Sequence, residues 1–213
     1  MNNSLSITIG VVGVGYLGSF HVQQLLKISN FIIRGIYDIN KNQAREIGKQ
    51  YNVEVFSQLI DLLKLVDAVC IVTPTNLHYE IADMALDNLC HLFIEKPITN
   101  NVQDAQKLIK KANKCKKIIQ VGHIERFNPA YAKLNKSDKN PDFIEAHRLS
   151  SFNSRGNDVP VILDLMIHDI DIILSIVNSD IYDIKANGVK VVSNSIDIAN
   201  ARLEFINGCI ANI

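Results

Sequence analysis

The sequence predicts an α/β protein. A doubly wound parallel sheet is expected over residues 1–122, followed by an α+β domain with a mostly antiparallel sheet over 123–213. Three observations predict it. Apolar runs of strand length alternate with segments of helical spacing through the first half. A glycine-rich turn, GVGYLG at 13–18, joins the first strand to the first helix. In the second half a long apolar helix is followed by strand-like runs with no helix between them, which favours antiparallel pairing.

LSITIGVV (5–12) is an apolar run closed by glycine and reads as a buried strand. YLGSFHVQQLLKI (16–28) has helical spacing, with Leu17, Phe20, Leu25 and Ile28 roughly on one side. FIIRGIYD (31–38) is a second strand, and NKNQAREIGKQY (40–51) a helix opened by Asn40. DAVCIVT (67–73), CHLFIE (90–95) and KIIQVG (117–122) read as strands, separated by helices over LHYEIADMALDN (77–88) and NNVQDAQKLIKKANKC (100–115). Strands joined through helices pair in parallel by right-handed crossovers. Beyond residue 122 come a polar loop (135–142), strand-like FIEAHRLSSF (143–152), the helix VILDLMIHDIDIILSIV (161–177), and strands near 182–192, 196–206 and 208–213.

The 213 residues are 47% hydrophobic and 21% charged, the balance of an ordinary globular protein large enough for one big domain or two small ones. Lys plus Arg and Asp plus Glu both total 22, so no global charge draws the chain to nucleic acid or to a membrane surface. The densest basic run, KKANKCKK at 110–117, falls where a helix should end, and cations there complement the helix dipole. No apolar run is long enough to span a bilayer. The N-terminus lacks the basic region of a signal peptide, and a cytoplasmic location is expected. Cys70, Cys90, Cys115 and Cys209 have no metal-like spacing and are expected to be free thiols.

The glycine turn stands in an informative context: strand before it, helix after it, and an acid, Asp38, 20 residues past Gly18 at the end of the second strand. Gly13 would allow the tight turn, Gly15 would let a pyrophosphate approach the backbone, and Gly18 would let helix pack on strand, the pattern of a Rossmann dinucleotide site. The phosphates would meet the helix N-terminus beside Tyr16 and Leu17. Asp38 would accept hydrogen bonds from the adenine-side ribose and repel a 2′-phosphate, favouring NAD over NADP. Two more stretches lie at strand ends, where open α/β sheets bind ligands. In TPTNLHYE (73–80), Thr75 or Asn76 would cap the next helix, while His78 could be a surface residue of its first turn. In EKPI (95–98), Glu95 and Lys96 are either a solvated pair before a proline turn or groups held at the strand edge.

The 161–177 helix poses a sharper question, because Asp164, His168, Asp169 and Asp171 stand among Ile, Leu, Val and Met. Burying an unpaired charge is costly, so such residues are paired or have work to do. Asp164, His168 and Asp171 fall at i, i+4 and i+7 and share one helical face, as either a polar stripe or a site. Asp164 and His168 could chelate a metal, yet no further ligands stand at matching spacing, and no metal is expected. His21, His91 and His147 show no partner pattern and read as packing or surface residues.

Together the glycine turn with Asp38, TPTNLH, EKP, VGHIERFNP (121–129) and DLMIHD (164–169) resemble the Gfo/Idh/MocA oxidoreductases, from residue 7 to the end of the sequence. The resemblance implies an NAD(P)-dependent enzyme acting on sugars, inositols or nucleotide sugars. Thr73, Thr75, Asn76, His78, Glu95 and Lys96 would join Gly13, Gly15, Tyr16, Leu17, Gly18 and Asp38 around the cofactor. Lys96, Asp164 and His168 would line the substrate, and Lys96–Pro97 would be a candidate cis peptide. Oxidising a secondary alcohol removes a proton from oxygen as a hydride leaves carbon. His168 could take that proton, and Lys96 could stabilise the alkoxide or itself act as base. Asp164 would orient substrate hydroxyls or hold His168, whereas Asp169 and Asp171 would cap, pair or stay solvated. In the loop that links the domains, Arg126 and Asn128 are substrate candidates, although Arg126 could equally pair with Glu125 or another carboxylate.

Within the family the resemblance is greatest to the branch acting on UDP-N-acetylglucosamine at its 3-hydroxyl, with inositol or free-sugar dehydrogenases as alternatives. Such proteins usually continue through about a hundred further residues of sheet and helix, a size that suits two domains. The second domain is therefore expected to be truncated. An uncovered sheet edge and face would favour a homo-oligomer, or a dinucleotide-binding protein that has lost turnover.

Overall fold

The computed structural model describes residues 6–134, 141–151 and 159–213. Two compact units divide the chain, Met1–Gly122 and His123–Ile213. In the first, strands β1 (Ile7–Val12), β2 (Phe31–Tyr37), β3 (Ala68–Ile71), β4 (His91–Ile94) and β5 (Ile119–Val121) form one sheet in the order β2-β1-β3-β4-β5. Every neighbouring pair is parallel. Parallel neighbours require crossovers. Here they are α1 (Tyr16–Leu25), α2 (Lys41–Tyr51) with α3 (Leu59–Leu63), α4 (His78–Asp87) and α5 (Val102–Cys115).

The helices divide between the two faces, which is why the strands read as continuous apolar runs. Val22 of α1 and Ala44 and Ile47 of α2 bury with Ile9, Val11 and Cys70 on one face. Leu62, Leu63, Ile81, Leu86 and Leu108 bury with Val12, Val69, Ile71 and Ile94 on the other. Asn40 opens α2 as expected, its side chain accepting from the Asn42 and Gln43 amides at 3.1 and 3.2 Å. The basic run does cover the end of α5, where Lys111 pairs with Asp83 and Asp87 at 2.6 and 2.8 Å. Two short features of 52–66 escaped the sequence reading: α3, and a single parallel bridge from Ile36 to Val55.

Two helix expectations need correction. The side of α1 carrying Leu17 and Phe20 faces outward, at 48% and 44% exposure, and the helix ends before Ile28; Gly18 and Val22 are the buried residues. The reason is the glycine turn, which forces Gly18 inward and so rotates the helix. The segment before α4 is a 3-10 turn, Thr75–Leu77, and no side-chain cap opens α4. The chain enters α4 through this turn.

In the second unit, β6 (Phe143–Glu145), β7 (Ile181–Val189), β8 (Ile198–Phe205) and β9 (Ile210–Asn212) form a sheet ordered β6-β9-β8-β7. β7–β8 and β8–β9 are antiparallel, whereas β6–β9 is parallel. Helices α6 (Pro129–Leu134) and α7 (Ile167–Ile176) complete it, and Ile173 and Val177 pack on Leu203, Phe205 and Ala211. The strand expected over 143–152 is shorter, because β6 pairs only along the three residues of β9; Phe152 lies outside the described residues, as do 135–140 of the expected polar loop. The helix expected over 161–177 is not uniform either. Ile162–Met166 form a wider π turn that leads into α7. The stretch read as a domain-linking loop is a 3-10 turn, Ile124–Phe127, followed by α6. Among the described residues no helix is long and apolar enough to cross a membrane, and no group of three or more His, Cys, Asp or Glu could hold a metal.

The connection from β7 to β8 is organised by Asp197. One carboxylate oxygen accepts from the amides of Val191, Val192 and Ser193 at 2.7, 2.8 and 2.9 Å, and the other accepts from Ser193 Oγ at 2.6 Å. These donors hold the carboxyl far below the usual carboxylate range, the Ser193 hydroxyl contributing most. A depressed folded pKa contributes stability above the unfolded value, about 3.9, that is lost as pH falls through the folded one. Asp197→Asn should therefore lower the melting temperature at neutral pH, and the gap to wild type should close as pH falls below that range; calorimetry across pH reads both effects.

Candidate functional site

Strand order reverses between β1 and β3, since the chain leaves β1 for β2 on one side and returns to β3 on the other. The loops beyond the carboxyl ends of these two strands flank the crevice such a switch creates. Gly13, after β1, has a left-handed φ of +84, and a Cβ there would stand 2.7 Å from the Val72 carbonyl oxygen. A Cβ on Gly18 would collide with the Gly13 carbonyl oxygen. Gly15 differs: among the described residues nothing lies within 4 Å of a Cβ placed there. Its glycine is not required by the protein's own packing. Asp38, beyond β2, braces the turn, its Oδ2 accepting from the Val14 amide and its Oδ1 from the Asn40 amide, both at 2.8 Å. Tyr16 and Leu17 begin α1 with exposed side chains, and no side chain caps the helix.

The loops after β3 and β4 are tied to each other through His78. Rather than lying on the surface it is 1% exposed, with Nδ1 2.9 Å from the Pro97 carbonyl oxygen and Nε2 2.9 Å from that of Thr73. Both ring nitrogens are engaged by the protein, so His78 serves the crevice through the loops it joins. Thr73 Oγ1 is buried and without a hydrogen-bond partner among the described residues. Thr75 is buried and Asn76 exposed in the following turn. Beyond β4 stand Glu95 and Lys96, both half-buried, and the Lys96–Pro97 peptide is cis.

One participant was missed. His21, read as packing or surface, extends from α1 with Nε2 2.8 Å from Glu95 Oε1 and Nδ1 3.3 Å from Cys70 Sγ. Its partners lie 74 and 49 residues away, and no local pattern marks them. Glu95, at 16% side-chain exposure, is thus not solvated. His91 accepts from the Ile118 amide at 3.1 Å, and exposed His147 lies 3.2 Å from Glu145.

In the second unit two acids of the 161–177 stretch take arginines. Asp169 takes Arg148 through Nε and Nη2, both at 2.8 Å. Asp171 takes Arg126 likewise, at 2.7 and 2.6 Å. Arg126 thus has the carboxylate partner that was one of its expected roles, and the carboxylate is Asp171. Asn128 Oδ1 accepts from the Ala130 amide at 3.0 Å at the start of α6, and its Nδ2 donates to Glu125 at 3.2 Å. Asp164 lies in the π turn, its amide donating to the Pro160 carbonyl at 3.1 Å, and His168 opens α7. Both are half-buried. π turns inside helices occur frequently at functional sites.

A parallel sheet with a glycine turn at its switch point, followed by a mixed-sheet domain, defines a class of dinucleotide-binding α/β proteins. Comparison narrows it. The model of the GFO_IDH_MocA family, described as an oxidoreductase family with an NAD-binding Rossmann fold, matches residues 7–123. The chain belongs to the Gfo/Idh/MocA oxidoreductase family. It is 38% identical over 205 residues to the UDP-N-acetylglucosamine 3-dehydrogenase of Acidithiobacillus ferrooxidans, covering 96% of this chain and 65% of that enzyme. The solved structure of that dehydrogenase superposes with a TM-score of 0.91 over 97% of this chain and 68% of its own. The Myo-inositol 2-dehydrogenase of Thermotoga maritima is 28% identical, covering 96% of this chain and 67% of that enzyme. The chain therefore spans about two thirds of the length of these relatives.

The three glycines should respond differently to alanine. Gly13→Ala and Gly18→Ala should each lower stability by about 1–3 kcal/mol or more, through strain and collision. Gly15→Ala should change stability by less than about 1 kcal/mol, because its φ of −64 is open to alanine. Denaturant midpoints of the three variants read this ordering.

Proposed function

We propose that the protein is an NAD-dependent dehydrogenase transferring a hydride between a sugar secondary hydroxyl and nicotinamide, with the C3 hydroxyl of a UDP-N-acetylhexosamine as its substrate. The observation that carries this reading is the open approach at Gly15 between two glycines the fold itself requires. The 38% identity to a UDP-N-acetylglucosamine 3-dehydrogenase supports the substrate. A polyol substrate is the second reading, supported by the 28% identity to a Myo-inositol 2-dehydrogenase.

The residues fit a dinucleotide. The first-turn amides of α1 and the open side of Gly15 would take the pyrophosphate. Both Asp38 oxygens keep lone pairs beyond their amide bonds and would accept ribose hydroxyls, while the negative charge would repel a 2′-phosphate. Lys41, the nearest following cation in sequence, donates to the Ser57 carbonyl at 2.7 Å and lies 4.6 Å over the Tyr37 ring. Thr73 Oγ1 offers a buried hydroxyl beside the crevice. The bound cofactor supplies the carbon that accepts or returns the hydride. Lys96 is assigned the substrate oxygen, by hydrogen bond to the developing alkoxide or as base. His168 is assigned the hydroxyl proton, and Asp164 the orientation of His168 or of neighbouring hydroxyls.

NAD(H) should bind more tightly than NADP(H), and Asp38→Ala should erase the difference; fluorescence titration of both cofactors decides this, and tighter NADPH binding by wild type would overturn it. Lys96→Ala and His168→Asn should each lower turnover by about a hundredfold to ten-thousandfold while NAD affinity and melting temperature stay nearly unchanged. In a panel of sugars the highest specificity constant should belong to UDP-N-acetylglucosamine; a higher value for myo-inositol would favour the polyol reading.

A homo-oligomer is part of the same proposal. Val189 and Ile198 are register partners on β7 and β8 and both are exposed, and exposed apolar side chains side by side can form an interaction surface. A second copy is the proposed cover, and light scattering showing a monomer at high concentration would refute it.

A further inference from the structure

We propose that His21 is a positioning residue for the reaction assigned above: its imidazole holds the Glu95 carboxylate, and through it the backbone of Lys96, at the carboxyl end of β4. The inference rests on that assignment for its catalytic meaning, but the local geometry stands independently. The carboxylate occupies a slot. On one side His21 Nε2 reaches Oε1 at 2.8 Å. A Cβ added to Gly122 would lie 2.9 Å from Oε1 and 3.0 Å from Oε2, so a larger residue there would push the carboxylate out of this place. The second oxygen, Oε2, accepts from the Lys96 amide at 3.3 Å. The imidazole is fixed in turn by Phe93, with ring centroids 5.4 Å apart and planes inclined at 56°, and by Cys70.

The chain of contacts has a direction. Cys70 is 2% exposed, and burial, reinforced by the Glu95 charge, pushes its thiol well above the usual range. The thiol therefore keeps its proton and can donate to Nδ1, which leaves Nε2 as the N–H that donates to Glu95. Cysteine, histidine and a carboxylate in line also resemble a nucleophilic set. That use is excluded here, because a nucleophile must form a thiolate and meet its substrate, and the buried Cys70 thiol does neither. What remains is a device that sets the place of a charged group and of the main chain beside Lys96. Productive geometry must be held within about 0.5 Å.

The test uses the intact protein. Nitrogen-15 spectra of wild type should show His21 as the Nε2–H tautomer with an unprotonated Nδ1; the opposite tautomer would overturn the proposal. His21→Phe keeps the ring against Phe93 but removes both hydrogen bonds. It should lower kcat by on the order of tenfold to a hundredfold while the Kd for NAD moves less than about threefold. His21→Gln, whose amide can still donate to Glu95, should recover most of that loss, which a merely space-filling role would not predict. Unchanged kcat in His21→Phe, or an equal loss of NAD affinity, would refute positioning. Absence of turnover in wild type would count against the dehydrogenase assignment. The tautomer and the Glu95 carboxyl shift in His21→Phe would then still decide whether the imidazole holds the carboxylate.

Discussion

The first unit depends on one close contact, Gly18 packed against the carbonyl of Gly13. No side chain fits between them, and the left-handed turn at Gly13 is needed to bring them together. From this contact follow the start of α1 directly above the end of β1, the rotation that buries Val22, and the outward placing of Tyr16, Leu17 and Phe20. The same rotation carries His21 inward to Glu95 and Cys70. The helix thus obeys a steric constraint at its first turn rather than its own apolar spacing. Asp38 adds the electrostatic half of the arrangement by fastening the tip of β2 to the turn.

Around this turn the crevice loops are built by buried polar contacts rather than by hydrophobic packing. His78 bridges the carbonyls of Thr73 and Pro97, and His21 anchors Glu95 from the opposite face of the sheet's carboxyl edge. Such groups are costly when left unsatisfied and modest in net worth when paired, so they specify position more than they add stability. That division of labour suits the proposed reading, in which Lys96 must be placed accurately.

The polar residues of the apolar stretch 161–177 have two separate explanations. Asp169 and Asp171, at 13% and 11% side-chain exposure, each receive a two-pronged guanidinium, which compensates for their burial and fastens α7 to neighbouring segments of its own unit. Removing either arginine would leave a nearly buried carboxylate without that partner, a larger loss than for an exposed pair. The π turn sets Asp164 in a wider backbone than the acids beyond it, and His168 stands at the start of α7. Asp164 and His168 are the residues to which the proposed chemistry is assigned.

Much of this was legible in the residues alone. The alternation of apolar runs determined the parallel sheet, Asn40 opened its helix as an asparagine with free backbone amides ahead of it should, and the glycine spacing with Asp38 located the switch-point turn. These are local signals, carried by residues within one strand, turn or helix. The face that α1 presents, the burial of His78, the slot around Glu95 and the partners of Arg126, Asp169 and Asp171 were decided only by tertiary structure. Each depends on atoms brought together across tens of residues, and neither helical period nor turn chemistry encodes which distant side chain will stand 3 Å away. The carbonyl of Gly13 turned α1, and that single steric fact made His21 a partner of Glu95.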